Sequence, residues 1–161
     1  MTAKADYTPE EWAALRRAPL VAGLAVSFAD PGGPIELTKE TMAAQRATSS
    51  PPGDHELLIA VSQDAMANAK DVRNVKDDLG LKAATIREQI ADELRRVNGI
   101  LSAKATPEEA AAFREWLVTA AQEAAEAAKE GGFLGIGATR VSEGEQAMLD
   151  RLREILELPA A

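Results

Sequence analysis

A stripe of aliphatic residues between Lys82 and Lys104 constrains the fold more than any other feature of the chain. Its members recur at spacings of four and three residues: Ile86, Ile90, Leu94, Val97 and Leu101. That spacing places all five on one face of an α-helix. No segment shows a convincing alternation of apolar and polar residues, which is the pattern of a half-buried strand. The sequence therefore predicts an all-α protein.

Three further helix starts carry capping boxes, in which a Ser or Thr and a Glu three residues later bond each other's backbone N–H groups. The pairs are Thr8 with Glu11, Thr106 with Glu109, and Ser142 with Glu145. The first two starts also place a proline at the first helical position, where a missing N–H does no harm. Tyr7 and Trp12 occupy the two positions of a hydrophobic staple around the first start.

These signals predict a single domain over residues 1–161 that contains a bundle of about six helices. Proline disfavours helical geometry in the residue before it, so Ala18-Pro19 should interrupt the first helix and leave Leu20–Ala29 as a second. The third helix is predicted from Ile35 to about Thr48, with Ile35 and Met42 on one face. Residues 1–7 are predicted to be flexible, residues 48–54 to form a loop, and residues 130–141 to form a glycine-rich apolar loop.

The middle of the chain gives weaker signals. Asp54 is predicted to cap a helix to about Ala69, along which four apolar residues recur at helical spacing: Leu58, Val61, Ala65 and Met66. The charged stretch Asp71–Leu79 is compatible with a short helix ended by Gly80. The two long helices that begin near Lys82 and at Thr106 are predicted to form the core pair.

The repeated start Thr-Pro-Glu-Glu, at Thr8 and Thr106, has two interpretations. Each start is followed by a helical stretch, a glycine pair and an acidic segment, which is the pattern of a degenerate duplication of a helix-turn-helix unit. Alternatively, Thr-Pro-Glu-Glu is simply a good helix start, and alanine-rich helices resemble one another.

Two blocks of the sequence carry a family resemblance. The tail Ala127-Ala128-Lys129-Glu130-Gly131-Gly132-Phe133-Leu134-Gly135-Ile136-Gly137, followed by Val141-Ser142-Glu143-Gly144-Glu145, resembles a family of small, uncharacterised all-helical bacterial proteins. The block Ala18-Pro19-Leu20-Val21-Ala22-Gly23-Leu24-Ala25 is similar to the same family. More distantly, the order of helix, Ala29-Asp30, glycines and acidic helix resembles the tellurite-resistance (TerB-like) helical fold. That resemblance implies a helical fold, paired helix-turn-helix units, and acidic turn residues suspected of binding metal. The second unit departs from it, because Lys129-Glu130 stands in place of Ala-Asp.

Charge and composition exclude several classes of function. The 161 residues carry a formal net charge of −8, which argues against nucleic acid as a partner because that binding begins with neutralisation of phosphates by Lys and Arg. The same charge argues against docking on an anionic membrane. The chain contains no cysteine, which removes disulfides, thiolate metal sites and Cys nucleophiles. No signal peptide or membrane span is recognisable, and a cytoplasmic location is predicted.

No pattern of catalytic residues stands out. His55 is the one histidine, and its position beside Asp54 at a helix start is typical of a surface residue. The Glu-x-x-His motif of di-iron bundles is absent. Glu88, Asp92 and Glu93 share a helix with three arginines, and intrahelical ion pairs account for them. We therefore predict no catalytic residues and no cofactor.

The segment from Glu130 to Ala138 is unusual because it combines glycines with Phe133, Leu134 and Ile136. These side chains either fold inward and cap a helix pair or stand out as an anchor for a partner. The main functional hypothesis is accordingly a non-enzymatic protein that acts by binding another protein or by self-association. The alternative is a divalent-cation-binding or stress-response protein of the TerB-like kind, which would use the acidic turns at Asp30 and Glu130. An enzyme with an unrecognised carboxylate site is a third, weaker hypothesis.

Overall fold

The computed structural model of the chain describes residues 3–29, 34–129 and 141–160. A single 3-10 turn, Lys4–Asp6, precedes eight α-helices, and no strand occurs among the described residues. The helices are α1 (Pro9–Ser27), α2 (Pro34–Ser49), α3 (Glu56–Ala67), α4 (Ala69–Arg73), α5 (Val75–Asp78), α6 (Ile86–Lys104), α7 (Pro107–Lys129) and α8 (Glu143–Ile155). Six of the eight helices are 12 residues or longer, and α4 and α5 are single turns. The predicted all-α bundle is confirmed.

All three capping boxes form as predicted. Thr8 Oγ1 accepts from the Glu11 backbone N–H at 3.2 Å, and Glu11 Oε2 accepts from the Thr8 backbone N–H at 2.8 Å. The pairs at Thr106 and Ser142 repeat this geometry. The staple also forms, since the rings of Tyr7 and Trp12 lie 5.6 Å apart. The 3-10 turn Lys4–Asp6 leads into Tyr7, which is buried. The predicted flexibility of residues 1–7 stays a prediction.

Helix α1 continues through Pro19, so the predicted interruption there is wrong. A proline inside a helix removes a hydrogen bond and strains the preceding turn, at a cost of about 3 kcal/mol. The ten residues from Ala18 to Ser27 are all buried, and they include Leu20, Val21 and Leu24. Each such side chain contributes about 1.5–3 kcal/mol when it is fully buried. Burial along the whole length of α1 therefore outweighs the local cost of the proline.

Helix α1 lies at the centre of the bundle, where it contacts α2, α3, α4, α6, α7 and α8. Helix α7 packs chiefly against α1 and α2, whereas α6 packs chiefly against α1 and touches α7 only slightly. The prediction that α6 and α7 form the core pair is therefore wrong. The predicted apolar face of α6 is confirmed, since Ile90, Leu94, Val97 and Leu101 are buried. This face packs mainly against α1 and not against α7.

Small residues set the spacing of α1, α2 and α7. A Cβ atom built on Gly23 of α1 would lie 2.5 Å from Ala44 Cβ of α2 and 3.6 Å from Ala124 Cβ of α7. Ala43, Ala44 and Ala47 of α2 are buried. The three helix backbones therefore approach one another closely around Gly23.

Two elements begin later than predicted. Helix α3 starts at Glu56 with His55 in the N-cap position, and no side chain caps it, so the predicted cap at Asp54 is wrong. Helix α6 starts at Ile86 because residues 82–85 form a turn that the Gln89 side chain holds. Gln89 accepts from the Lys82 backbone N–H and donates to the Gly80 carbonyl, at 2.9 and 3.0 Å.

Candidate functional site

The residues that the sequence singled out as sites lie outside the described part of the chain. These are Phe133, Leu134 and Ile136 for partner binding, with Asp30 and Glu130 for metal in the alternative hypothesis. Their roles, the TerB-like resemblance and the duplication stay predictions. The described residues instead present a different candidate site, at the C-terminal ends of α2 and α3.

A cleft of about 230 Å³ lies between α2, α3 and α4. Four of its lining residues are apolar and two are polar: Ala65, Met66, Ala69, Val72, Gln45 and Thr48. Ala65 and Val72 are buried and form its base, while Met66 is exposed at 51% of its surface. The cleft is thus an apolar depression that reaches the surface at a methionine.

Met42 extends the apolar character of this region along α2. It precedes Gln45 by three residues, so the two side chains lie on the same side of the helix. Met42 is exposed at 52%, and it and Met66 are the two large apolar side chains that the described residues leave exposed. Met42 was predicted to share a face with Ile35, and Met66 to recur at helical spacing with Leu58, Val61 and Ala65. The inward positions of the two helices are taken by smaller residues, which include Ala44, Ala47 and Ala65.

The backbone on either side of the cleft is held by buried and partly buried hydrogen bonds. The indole Nε1 of Trp116, which is fully buried on α7, donates to the Ala47 carbonyl of α2 at 2.8 Å. Thr48 Oγ1 donates to the Ala44 carbonyl at 2.8 Å. On the opposite side, Asn68 Nδ2 donates to the Asp64 carbonyl at 2.9 Å across the junction of α3 and α4. The cleft is therefore largely preformed.

Asp64 fixes α3 against α1 and against the N-terminal turn. Its carboxylate accepts from Lys4 Nζ at 2.8 Å, Arg16 Nη1 at 3.1 Å and Trp12 Nε1 at 3.2 Å. Partial burial acts to raise the pKa of Asp64, but the hydrogen bonds from these three donors outweigh it and hold the pKa below its usual range. A carboxylate that is ionised and saturated with donors anchors helices and is a poor general base.

Glu93 of α6, which is buried, also serves packing. Both Nε and Nη2 of Arg17 on α1 donate to Glu93 Oε1, at 3.0 and 2.7 Å. Arg96 lies 3.7 Å from the other oxygen. We expected Glu93 to pair within its own helix, but its main partner lies on α1. Asp92 pairs with Arg95 on the same helix at 2.7 Å, as predicted. Glu88 lies 3.9 Å from Arg95, but its closer partner is Arg151 of α8 at 2.8 Å.

The described residues contain neither a group of metal-ligating side chains nor a membrane-spanning helix. In residues 3–29, 34–129 and 141–160, no three His, Asp or Glu side chains are grouped so that they could hold an ion. None of the helices in these ranges combines the length and the apolar content needed to cross a bilayer.

No known protein family, curated protein or solved structure was found to match this chain.

The sequence pattern missed the cleft because it depends on where α4 lies against α2. Helices α2 and α3 were predicted, but their mutual packing was not. The available signal was the surplus of apolar residues on α3: Ala65 and Met66 are adjacent in sequence and so lie about 100° apart around the helix. A single contact face does not easily bury both.

Proposed function

We propose that this chain is a non-enzymatic cytoplasmic protein that acts by binding another protein, and that the cleft between α2, α3 and α4 receives apolar side chains of that partner. The observation that carries the proposal is that the exposed Met66 lines an apolar cleft, while the exposed Met42 lies one turn along α2 from Gln45 of the same lining. Single exposed apolar residues are ordinary on protein surfaces. An exposed methionine that lines an apolar depression indicates a binding surface.

The size of the cleft favours a side chain over a free small molecule. Pockets for drug-sized ligands and cofactors usually measure about 300–1,000 Å³, and this cleft is smaller, at about 230 Å³. An apolar cavity of roughly 150 Å³ accepts a benzene molecule. The space therefore suits one or two aliphatic or aromatic side chains. Methionine adapts its shape to such groups because its thioether chain is flexible and polarizable.

Methyl NMR of the methionines tests this proposal site by site. The probe is an uncharged 18-residue amphipathic helical peptide, with leucines on one face and glutamine and alanine elsewhere. We expect the Met42 and Met66 methyl signals to shift on titration. The Met148 methyl should not move, because Met148 packs against the core from α8. A peptide with serine in place of leucine should leave all signals unchanged.

A variant that fills the cleft provides a matched control. Ala69 lines the cleft at the first position of α4 and is half-buried, so Ala69→Leu should occupy the space without changing the charge. This variant should keep its circular dichroism melting curve and lose the peptide-induced shifts. Titration without any shift at Met42 or Met66 would contradict the proposal. Concentration-dependent shifts without peptide, together with a dimer in sedimentation velocity, would show that a second copy occupies the cleft instead.

A further inference from the structure

Asn98 and Gly99 form the one Asn-Gly pair in the chain, and they lie inside α6. The other two asparagines, Asn68 and Asn74, precede alanine and valine. Gly99 is exposed, and a Cβ atom built on it meets nothing within 4 Å. Glycine is also a weak helix former. Neither packing nor helix propensity therefore accounts for a glycine at this position.

An Asn-Gly pair carries a reaction of its own. The backbone nitrogen of Gly99 loses its proton and attacks the side-chain carbonyl carbon of Asn98, so that a new C–N bond closes a succinimide ring while ammonia leaves. Water then opens the ring at either carbonyl and yields aspartate or isoaspartate at position 98. Water is consumed and ammonia is released, and no oxidant or reductant takes part. Glycine favours this reaction because it has no side chain to obstruct the attacking nitrogen.

The folded structure holds Asn98 away from this reaction. Its side chain is buried, with 8% of its surface exposed. Asn98 Nδ2 donates to the Ile155 carbonyl at 3.2 Å and to Glu157 Oε2 at 3.0 Å. Asn98 Oδ1 accepts from Arg114 Nε at 2.7 Å. The helix also commits the N–H of residue 99 to the carbonyl four residues earlier. The amide is therefore able to react only when this part of the structure opens.

Two of the three hydrogen-bond partners of Asn98 belong to the C-terminal end of α8. Leu156, between them, is fully buried. Glu157 has a left-handed backbone, with φ of 56°, and 69% of its side chain is exposed. Helix ends of this kind detach locally without global unfolding of a protein. Detachment of this end frees the Asn98 amide and admits water to it.

The products of the reaction weaken the same joint. The oxygen that replaces Nδ2 has no proton to donate, so the Ile155 carbonyl and the Glu157 carboxylate lose their donor. The new negative charge also faces that of Glu157. Arg114 stays beside the remaining oxygen and lies 3.9 Å from Glu157, so it offsets part of the repulsion but does not replace the lost donor. Isoaspartate in addition lengthens the backbone of α6 and interrupts its hydrogen bonds.

We infer that Asn98-Gly99 is a spontaneous deamidation site, that the docked end of α8 sets its rate, and that the reaction releases this end irreversibly. The inference is independent of the cleft between α2, α3 and α4. The protein thereby carries a permanent chemical record of how firmly α8 has been docked.

Incubation of the whole protein at mildly alkaline pH tests the control by α8, with peptide mapping by mass spectrometry as the readout. Glu157→Ala removes one acceptor of the Asn98 amide, and loss of a hydrogen bond shifts an equilibrium about 2- to 10-fold. Asn98 should deamidate faster by the same factor, because the rate follows the population of the open form. Glu154→Ala removes the same charge from an exposed position on α8 and should leave the rate unchanged.

Two further variants separate the site from its surroundings. Leu156→Ala should accelerate the reaction more than Glu157→Ala does, and Glu157→Ala keeps the test decisive if Leu156→Ala fails to fold. Gly99→Ala should slow the reaction at Asn98 even in urea, where the chain is unfolded. In urea the wild-type chain should deamidate at Asn98 well before Asn68 or Asn74, and faster than in the folded state.

Hydrogen exchange over residues 152–158 tests the release of α8. Asn98→Asp supplies one product of the reaction, and it should speed amide exchange in this segment. Asn74→Asp makes the same change of charge at an exposed position and should not.

Each part of the inference has an outcome that overturns it. Equal rates at the three asparagines in urea would show that Asn98-Gly99 is not a deamidation site. Equal rates in the folded wild type, Glu157→Ala and Leu156→Ala would overturn the control by α8. Unchanged exchange over residues 152–158 in Asn98→Asp would overturn the release.

Discussion

Replacing Gly23 with alanine tests whether helix spacing in the core depends on the absence of one side chain. The added Cβ would lie 2.5 Å from Ala44 Cβ, and both atoms would project directly from helix backbones. Neither can rotate away, so α1 and α2 must separate. Overpacking of this kind costs about 1–3 kcal/mol. The same change relieves the poor helix propensity of glycine, which is worth about 1 kcal/mol.

Gly99 provides a matched control because it isolates the steric part of this cost. It lies inside α6, is exposed, and a Cβ built on it meets nothing within 4 Å. Gly99→Ala should therefore stabilise the protein by about 0.5–1 kcal/mol. The propensity gain is common to both variants, so the difference in their free energies of unfolding should be about 1–3 kcal/mol.

Urea denaturation followed by circular dichroism measures both variants, and a double variant measures the coupling. Ala44→Gly removes the atom that the new methyl group meets, so it should restore part of the stability that Gly23→Ala loses. Equal stabilisation by Gly23→Ala and Gly99→Ala would refute the close approach of α1 and α2. Loss of stability without rescue by Ala44→Gly would place the clash elsewhere.

Three further predictions concern burial, oxidation and pH. Leu94→Ala should cost about 2–5 kcal/mol in urea denaturation, because Leu94 is fully buried; no measurable cost would mean that the stripe faces solvent. Hydrogen peroxide should convert Met42 and Met66 to sulfoxides before Met148, because only the first two of these side chains are exposed. Peptide mapping by mass spectrometry measures the rates, and equal rates at the three sites would contradict this prediction. Asp64→Asn should lower the melting temperature at pH 7. The pKa of Asp64 is lowered in the folded protein, so its ionised contacts stabilise above about pH 4, the range of an unfolded Asp. The difference from wild type should shrink as the pH falls through the folded-state pKa, and a difference that does not change with pH would argue against the Asp64 contacts.

The sequence predicts local structure well where the chemistry is local. A capping box depends on residues three positions apart, so Thr8 with Glu11 and Ser142 with Glu145 form as expected. The stripe on α6 is likewise a property of one helix. These features identify the all-α class before any packing is known.

The errors arise where packing between helices decides the outcome. Pro19 carries a local signal for a break, but the burial of α1 among six other helices overrides it. Met66 fits a helical spacing, but whether it or its neighbour Ala65 turns inward depends on how closely α2 and α3 approach. The cleft depends on three helices at once, and no spacing in the sequence predicts such an arrangement.

The central place of α1 has a consequence for how the protein is made. About 80 residues separate the end of α1 at Ser27 from the start of α7 at Pro107, and α7 is one of the two main packing partners of α1. At a synthesis rate of about 5–20 residues per second, the ribosome needs roughly 4–16 s to deliver the start of α7. During that interval a nascent α1–α2 hairpin would present to solvent the alanine-rich surface that α7 later covers. The order of elements along the chain therefore creates a window in which a chaperone or a neighbouring nascent chain competes with the protein's own C-terminal half.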